Sequence, residues 1–188
     1  MNWYDEHLGK AQVVLADPCW YYADRKKGKT VGGACNQYAL MKTPEIAALN
    51  IQRLCADDCV MYMWATCPHF ESMLTVMKAW GFKFVTKGFT WIKNNEGGGL
   101  FAGPGNYTAS NSEDVWIGRR GKFLKPETRL VPQVILQPRT KHSRKPDAVH
   151  DRLDKMYSKL NRVELFARHK RENWACLGLE LGHDFKEL

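Results

Sequence analysis

Val13-Val14-Leu15-Ala16-Asp17-Pro18-Cys19-Trp20-Tyr21-Tyr22 joins four apolar residues to an acid, a proline and three consecutive aromatics. A short apolar run stopped by Asp-Pro reads as a buried strand that ends in a tight turn. Working outward, Val60 to Trp64, residues 82–92, residues 113–118, Val134-Ile135-Leu136 and Val163 to Ala167 give further strand patterns. Between them lie helical ones. Residues 43–54 begin with Thr43 as cap and Pro44 in the first turn. Residues 68–80 place Phe70, Leu74, Met77 and Trp80 on one face. Pro146 to about Leu160 buries Val149, Leu153, Met156, Tyr157 and Leu160 at helical spacing. Strands alternating with helices predict an α/β fold, a mostly parallel sheet covered by helices on both faces. In such sheets ligands bind at the carboxyl ends of strands.

The composition agrees with one globular domain over residues 1–188. Hydrophobic residues make up 44% and charged residues 26%, which excludes collagen-like and disordered chains. The longest apolar run, Val60 to Ala65, is far below the ~18–20 residues of a membrane span. Met1-Asn2-Trp3-Tyr4-Asp5-Glu6-His7 has no signal-peptide pattern. Cys19, Cys35, Cys55, Cys59, Cys67 and Cys176 show no paired CxxC spacing, so no metal site is expected. Reduced thiols in a cytoplasmic protein are the expectation. The formal charge of +8 is concentrated: Arg119, Arg120, Lys122, Lys125, Arg129, Arg139, Lys141, Arg144 and Lys145 face one acid, Glu127, in that stretch. Such a run is either a solvated face or the footprint of a polyanion, most simply nucleic acid.

Three strand ends carry chemistry. At Asp17-Pro18-Cys19-Trp20, a carboxylate, a proline carbonyl and flat rings suit a planar amine. The carboxylate and carbonyl accept its N–H groups while a ring stacks on the heterocycle. An exocyclic base amine is a weak nucleophile because its lone pair is delocalised. Accepting its hydrogens restores nucleophilicity, and holding it in line with a donor supplies the rest. An ordinary turn with core aromatics is the alternative. At His142-Ser143-Arg144-Lys145-Pro146-Asp147, basic and hydroxyl groups at a helix start suit a carboxylate or phosphate, or simply begin the helix. At Glu164-Leu165-Phe166-Ala167-Arg168-His169, an acid in a buried strand suits ribose hydroxyls, or is a core carboxylate paired with Arg168.

In this order, the motifs resemble the DPPW-motif adenine amino-methyltransferases, permuted beta-class enzymes related to the mRNA adenosine methyltransferase subunit (MT-A-seventy-like). The likeness runs from about Val13 to Gly178 and includes Asn173-Trp174 and Leu177-Gly178. It implies a Rossmann-like class I methyltransferase fold with permuted motif order, S-adenosyl-L-methionine as cofactor, and nucleic acid as substrate, with DNA favoured over RNA. By this resemblance Asp17, Pro18, Cys19 and Trp20 form the catalytic motif, with Trp20 or Tyr21 stacked on a base that must be flipped or single-stranded. Asp17, Ser143, Lys145, Glu164, Phe166, Arg168 and His169 would hold the cofactor, Lys145 at its carboxylate and Arg168 and His169 by its ribose. Substrate contacts are expected from Tyr21, Tyr22, Arg25, Lys26, Lys27, Tyr38, Arg119, Arg120, Arg139 and Lys141.

The chain departs from the family pattern where Cys19 replaces a second proline and where Leu179-Glu180 replaces Asn-Gln. Only sixteen residues precede Asp17, which leaves room for a homo- or heterodimer whose partner completes the pocket. These departures keep a catalytically weak nucleic-acid-binding or scaffold paralogue in view. The same chemistry would serve a cytosine 4-amino methyltransferase. Gly28-Lys29-Thr30 lacks the earlier glycine of a phosphate loop, Ala23 standing there, and Gly103-Pro104-Gly105 lacks a third glycine and a following helix.

Overall fold

The computed structural model describes residues 3–21, 40–103, 105, 107–139, 144–185 and 188. Its strands are β1 (Ala11–Ala16), β2 (Cys55–Ala65), β3 (Lys83–Asn94), β4 (Ser112–Arg120), β5 (Val134–Pro138), β6 (Arg162–Leu165) and β7 (Ala175–Leu177). The helices are α1 (Trp3–His7), α2 (Thr43–Ala47), α3 (Phe70–Ala79) and α4 (Ala148–Met156). One sheet takes all seven strands in the order β5-β3-β4-β2-β1-β6-β7. β1 lies parallel to β2 and β6, β6 to β7, and β3 to β5. β4 runs antiparallel to both its neighbours, β2 and β3. Six strands therefore point one way and β4 alone points back. This is the mostly parallel α/β sheet of a Rossmann-like methyltransferase fold.

The near-continuous apolar runs of β1 and β2 reflect burial on both faces. Val14, Ala16, Met61, Met63 and Ala65 pack with Ile46 of α2 and Met73, Val76 and Met77 of α3. Their alternate neighbours Val13, Leu15, Val60, Tyr62 and Trp64 pack with Val149 and Leu153 of α4. Residue parity along a strand thus selects which helical layer a side chain meets.

Two helices are shorter than the sequence pattern predicts. Over 43–54, α2 ends at Ala47 and a 3₁₀ turn follows at Ile51–Arg53. Ile46 and Ile51 are both fully buried, yet five residues apart they would face different sides of one α-helix. The pattern over Pro146–Leu160 yields α4 only to Met156. Tyr157 leaves helical geometry, and its hydroxyl meets that of Tyr62 at 3.1 Å inside the core. The Glu127 carboxylate accepts from Ser158 Oγ at 2.9 Å and from the Lys159 N–H at 3.2 Å, closing the helix end. α1 and β7 are elements for which the sequence carries no clear periodic signal. None of the helices is long and apolar enough to cross a membrane, among the described residues.

Candidate active site

Because β4 is reversed, its first residues share an edge with the last residues of the other strands. Asp17 follows β1, Phe166 follows β6, and Glu113 opens β4. By parity Asp17 continues the Val13–Leu15 series, Glu164 lies opposite Leu15, and Glu113 shares a face with Val115. All three carboxylates therefore stand on the α4 side of the sheet. Lys145, just before α4, comes in over them.

The Lys145 ammonium lies 2.9 Å from the Asp17 carboxylate and 3.3 Å from Glu113 Oε2. Glu113 Oε1 in turn accepts from Lys93 Nζ at 2.5 Å. The Trp64 ring lies under Lys145, with its centroid 5.4 Å from Nζ. Four charges of alternating sign thus form one chain, and each side chain is less than 30% exposed. Burial works against the Lys145 ammonium, but the two carboxylates outweigh it and hold its pKa above the ordinary lysine value. For Asp17 burial wins: its carboxyl is pushed up, against the lowering influence of Lys145. Burial also opposes the Glu113 carboxylate, yet Lys145 and Lys93 together bring its pKa below the usual range.

Asp17 and Lys145 belong to an open cleft whose wall also includes Leu15, Trp64, Arg144, Asp147, His150, Glu164, Phe166, Arg168 and His169. Of the residues the sequence offers for the cofactor, the cleft brings together Asp17, Lys145, Glu164, Phe166, Arg168 and His169. Glu164 Oε2 lies 3.0 Å from His150 Nε2, so this acid is paired with a histidine that the sequence did not single out. Arg168 Nε stands 3.9 Å from Glu180 Oε1, which gives the Leu179-Glu180 departure a local role. Phe166 adopts a left-handed backbone (φ 63°) and stacks on Phe185 at 4.5 Å between centroids. The strand end behind it is pinned by Gly178: a Cβ there would lie 2.0 Å from the Ala167 carbonyl oxygen.

The Asp17–Tyr21 turn divides its aromatics. Trp20 is buried, donates from Nε1 to the Trp64 carbonyl at 3.1 Å, and stacks on His69. Tyr21 is 48% exposed. The Pro18 carbonyl accepts the Trp20 N–H at 2.9 Å, leaving its second lone pair. Burial and the neighbouring Asp17 charge raise the Cys19 thiol, which stays neutral.

The basic stretch does not form one rim. Arg119 and Arg120 end β4, opposite Val60 and Cys59, about 20 and 24 Å of strand away from Glu113. Their guanidinium groups donate to the carbonyls of Gly121 and Gln52. The reversal of β4 carries them to the far edge of the sheet and removes them from this cleft. Arg139, directly after β5, lies at the same carboxyl edge of the sheet but outside the cleft's wall. Tyr22, Arg25, Lys26, Lys27, Tyr38, Lys141 and Ser143 lie outside the described residues.

Glu113, Lys93 and His150 were not singled out by the sequence. Glu113 opens a strand, and strand starts in a parallel sheet belong to the wrong edge. Only the direction of β4 makes it a site residue. His150 interrupts the apolar face of α4 beside Val149, the one local signal for it.

The MT-A70 family profile matches residues 11–180 of this chain. The chain belongs to the MT-A70 family. Over 188 aligned residues it is 33% identical to the type II methyltransferase M.MunI of Mycoplasma sp, covering 92% of this chain and 78% of that protein. It is 26% identical to the N(6)-adenosine-methyltransferase catalytic subunit METTL3 of Homo sapiens and to an MT-A70-like N(6)-adenosine-methyltransferase of Drosophila melanogaster. Each of those alignments covers 93% of this chain but only 29% and 27% of the relatives. MT-A70 membership brings S-adenosylmethionine-dependent methylation of the 6-amino group of adenine in nucleic acid. The cleft suits that cofactor: a lysine ammonium at one strand end can meet a carboxylate, and the partly exposed Glu164 carboxylate can accept from a ribose diol.

Proposed function

We propose that this chain methylates the 6-amino group of adenine in DNA, with the cleft between β1, β6 and α4 as its active site. The observation that carries the reading is the convergence of Asp17, Lys145, Glu164, Phe166, Arg168 and His169, from three separate sequence motifs, on that cleft. The preference for DNA follows the type II methyltransferase, to which this chain is 33% identical. Free thiols at the described cysteines fit a reducing, cytoplasmic setting.

Lys145, Glu164, Phe166, Arg168 and His169 would hold S-adenosylmethionine, which supplies an electrophilic methyl group when bound. Asp17 accepts one N–H of the target amine and the Pro18 carbonyl accepts the other through its unused lone pair. Both bonds draw the nitrogen's lone pair out of the ring. Tyr21, the outward aromatic of the turn, stacks on the base, while Trp20 anchors the turn to β2. Lys145 keeps Asp17 ionised despite its burial. The raised proton affinity of Asp17 then suits it to take the proton that the methylated nitrogen must release. Glu113 and Lys93 act one step back, fixing the Lys145 ammonium.

The purified protein, labelled S-adenosylmethionine, and unmodified DNA and RNA test this, with nucleosides identified by mass spectrometry. 6-Methyladenine forming in DNA faster than in RNA is expected. Methyl transfer to RNA alone would reassign the polymer, and 4-methylcytosine would reassign the base. No transfer despite cofactor binding would leave a scaffold role, with catalysis in a partner chain.

A further inference from the structure

The chain between β3 and β4 is a built hairpin rather than a slack loop. Lys93 pairs through its backbone with both arms, donating to Asn111 O at 2.7 Å and accepting from the Phe101 N–H at 2.9 Å. Higher up, Gly103 and Ser110 exchange reciprocal backbone bonds at 2.9 and 3.2 Å. The turn is too tight for side chains at its glycines. A Cβ on Gly103 would lie 2.4 Å from Ser110 O, and one on Gly105 2.0 Å from Thr108 O. The same Lys93 places its ammonium on Glu113, so the hairpin's base is tied to the charge chain that ends at Asp17.

Two side chains on or against this hairpin face outward. Tyr107, at its tip, is fully exposed, so its ring contributes no burial to stability. Arg139, from the adjoining end of β5, lays its guanidinium 4.1 Å from the centroid of the Phe101 ring. A guanidinium within cation–π reach of a ring can still donate its N–H groups to an anion. An exposed aromatic on this hairpin and a cation packed against the same hairpin, at the sheet edge that holds Asp17, match the two parts of a nucleotide.

We infer that the β3–β4 hairpin is a nucleic-acid contact arm: Tyr107 stacks on a base flanking the target, and Arg139, seated on Phe101, holds the adjoining phosphate. This rests on the methyltransferase reading above and adds the element that grips the polymer outside the cleft. Stacking on a bare ring is tolerant of sequence, because every base has a π-face. The arm therefore positions the strand rather than reading its letters.

The test compares wild type, Tyr107→Ala, Tyr107→Phe and Arg139→Gln. It measures binding to a fluorescein-labelled random-sequence duplex by anisotropy, KM for sheared unmodified DNA, cofactor binding by calorimetry, and mass by sedimentation. Tyr107→Ala should raise the KM for DNA about tenfold, a typical loss for one stacked base. Tyr107→Phe should restore it, with cofactor affinity and melting temperature unchanged in both. Arg139→Gln should weaken duplex binding and reduce its salt slope by about one. A KM within about twofold of wild type for both Tyr107→Ala and Arg139→Gln would overturn the inference and leave the methyltransferase reading intact. So would a fall in sedimenting mass on Tyr107→Ala without a change in DNA binding, which would assign the tip to a second copy of this chain. A wild-type protein that neither binds nor methylates either polymer would overturn both.

Discussion

The two edges of the sheet both carry charge, and they use it differently. At the carboxyl edge, Asp17, Lys145, Glu113 and Lys93 alternate in sign, lie half-buried, and satisfy one another within 3.3 Å. At the amino edge, Arg119 and Arg120 are same-signed, and their guanidinium groups rest on backbone carbonyls. Buried charges need partners, so evolution of such a cluster requires several residues to agree. Surface arginines carry no such requirement. A local excess of positive charge in sequence therefore need not serve one place: Lys145 and Arg139 reach the carboxyl edge, Arg119 and Arg120 the amino edge.

Breaking the carboxyl edge should have the largest effects. Asp17→Ala removes the acceptor for the amine, and methyl transfer should fall by about three orders of magnitude, the middle of the range for a group of this kind. Circular dichroism and melting temperature should stay near wild type, since Asp17 lies in a cleft and not in the core. Lys145→Met should lower transfer by about a hundredfold and weaken cofactor binding in calorimetry. Its pH profile is the sharper readout. Activity requires ionised Asp17, whose pKa is already raised by burial and restrained by Lys145. Without the ammonium that pKa rises further, so the acid limb of activity should move to higher pH. A limb that stays in place would separate Lys145 from Asp17 in function.

Smaller effects test the division within the turn. Tyr21→Ala should raise the KM for DNA about tenfold with little loss of stability. Trp20→Phe should do the reverse, costing about 1 kcal/mol through the lost bond to the Trp64 carbonyl, read as a melting temperature lower by a few degrees. The smallest effect belongs to the amino edge. Arg119→Ala with Arg120→Ala should leave the KM for DNA within about twofold and its salt slope unchanged. A steep loss there would return that edge to the substrate.

Much of this was legible in the sequence. The runs Val13–Ala16 and Val60–Trp64 announce buried strands, and the Asp17, Lys145 and Glu164 motifs sit where parallel strands deliver ligand contacts. What was not legible depends on direction and parity. Nothing local says that residues 112–120 run against their neighbours, yet that reversal brings Glu113 in and sends Arg119 and Arg120 away. Nor does the run Trp20-Tyr21 say which ring turns inward. That is settled by the Trp64 carbonyl and His69, far off in the chain. Helix lengths were overread where a residue such as Ile51 or Tyr157 had to reach the core from a non-helical position.

The alternating chain from Asp17 to Lys93 has a further consequence. Its formal charges cancel, so from a distance it presents no monopole, only short-range fields that ions in solution hardly reach. Cofactor affinity should then be nearly indifferent to ionic strength, while affinity for the polymer, carried by exposed cations such as Arg139, should fall steeply with it. At rising salt the protein would keep its small molecule and release its long one.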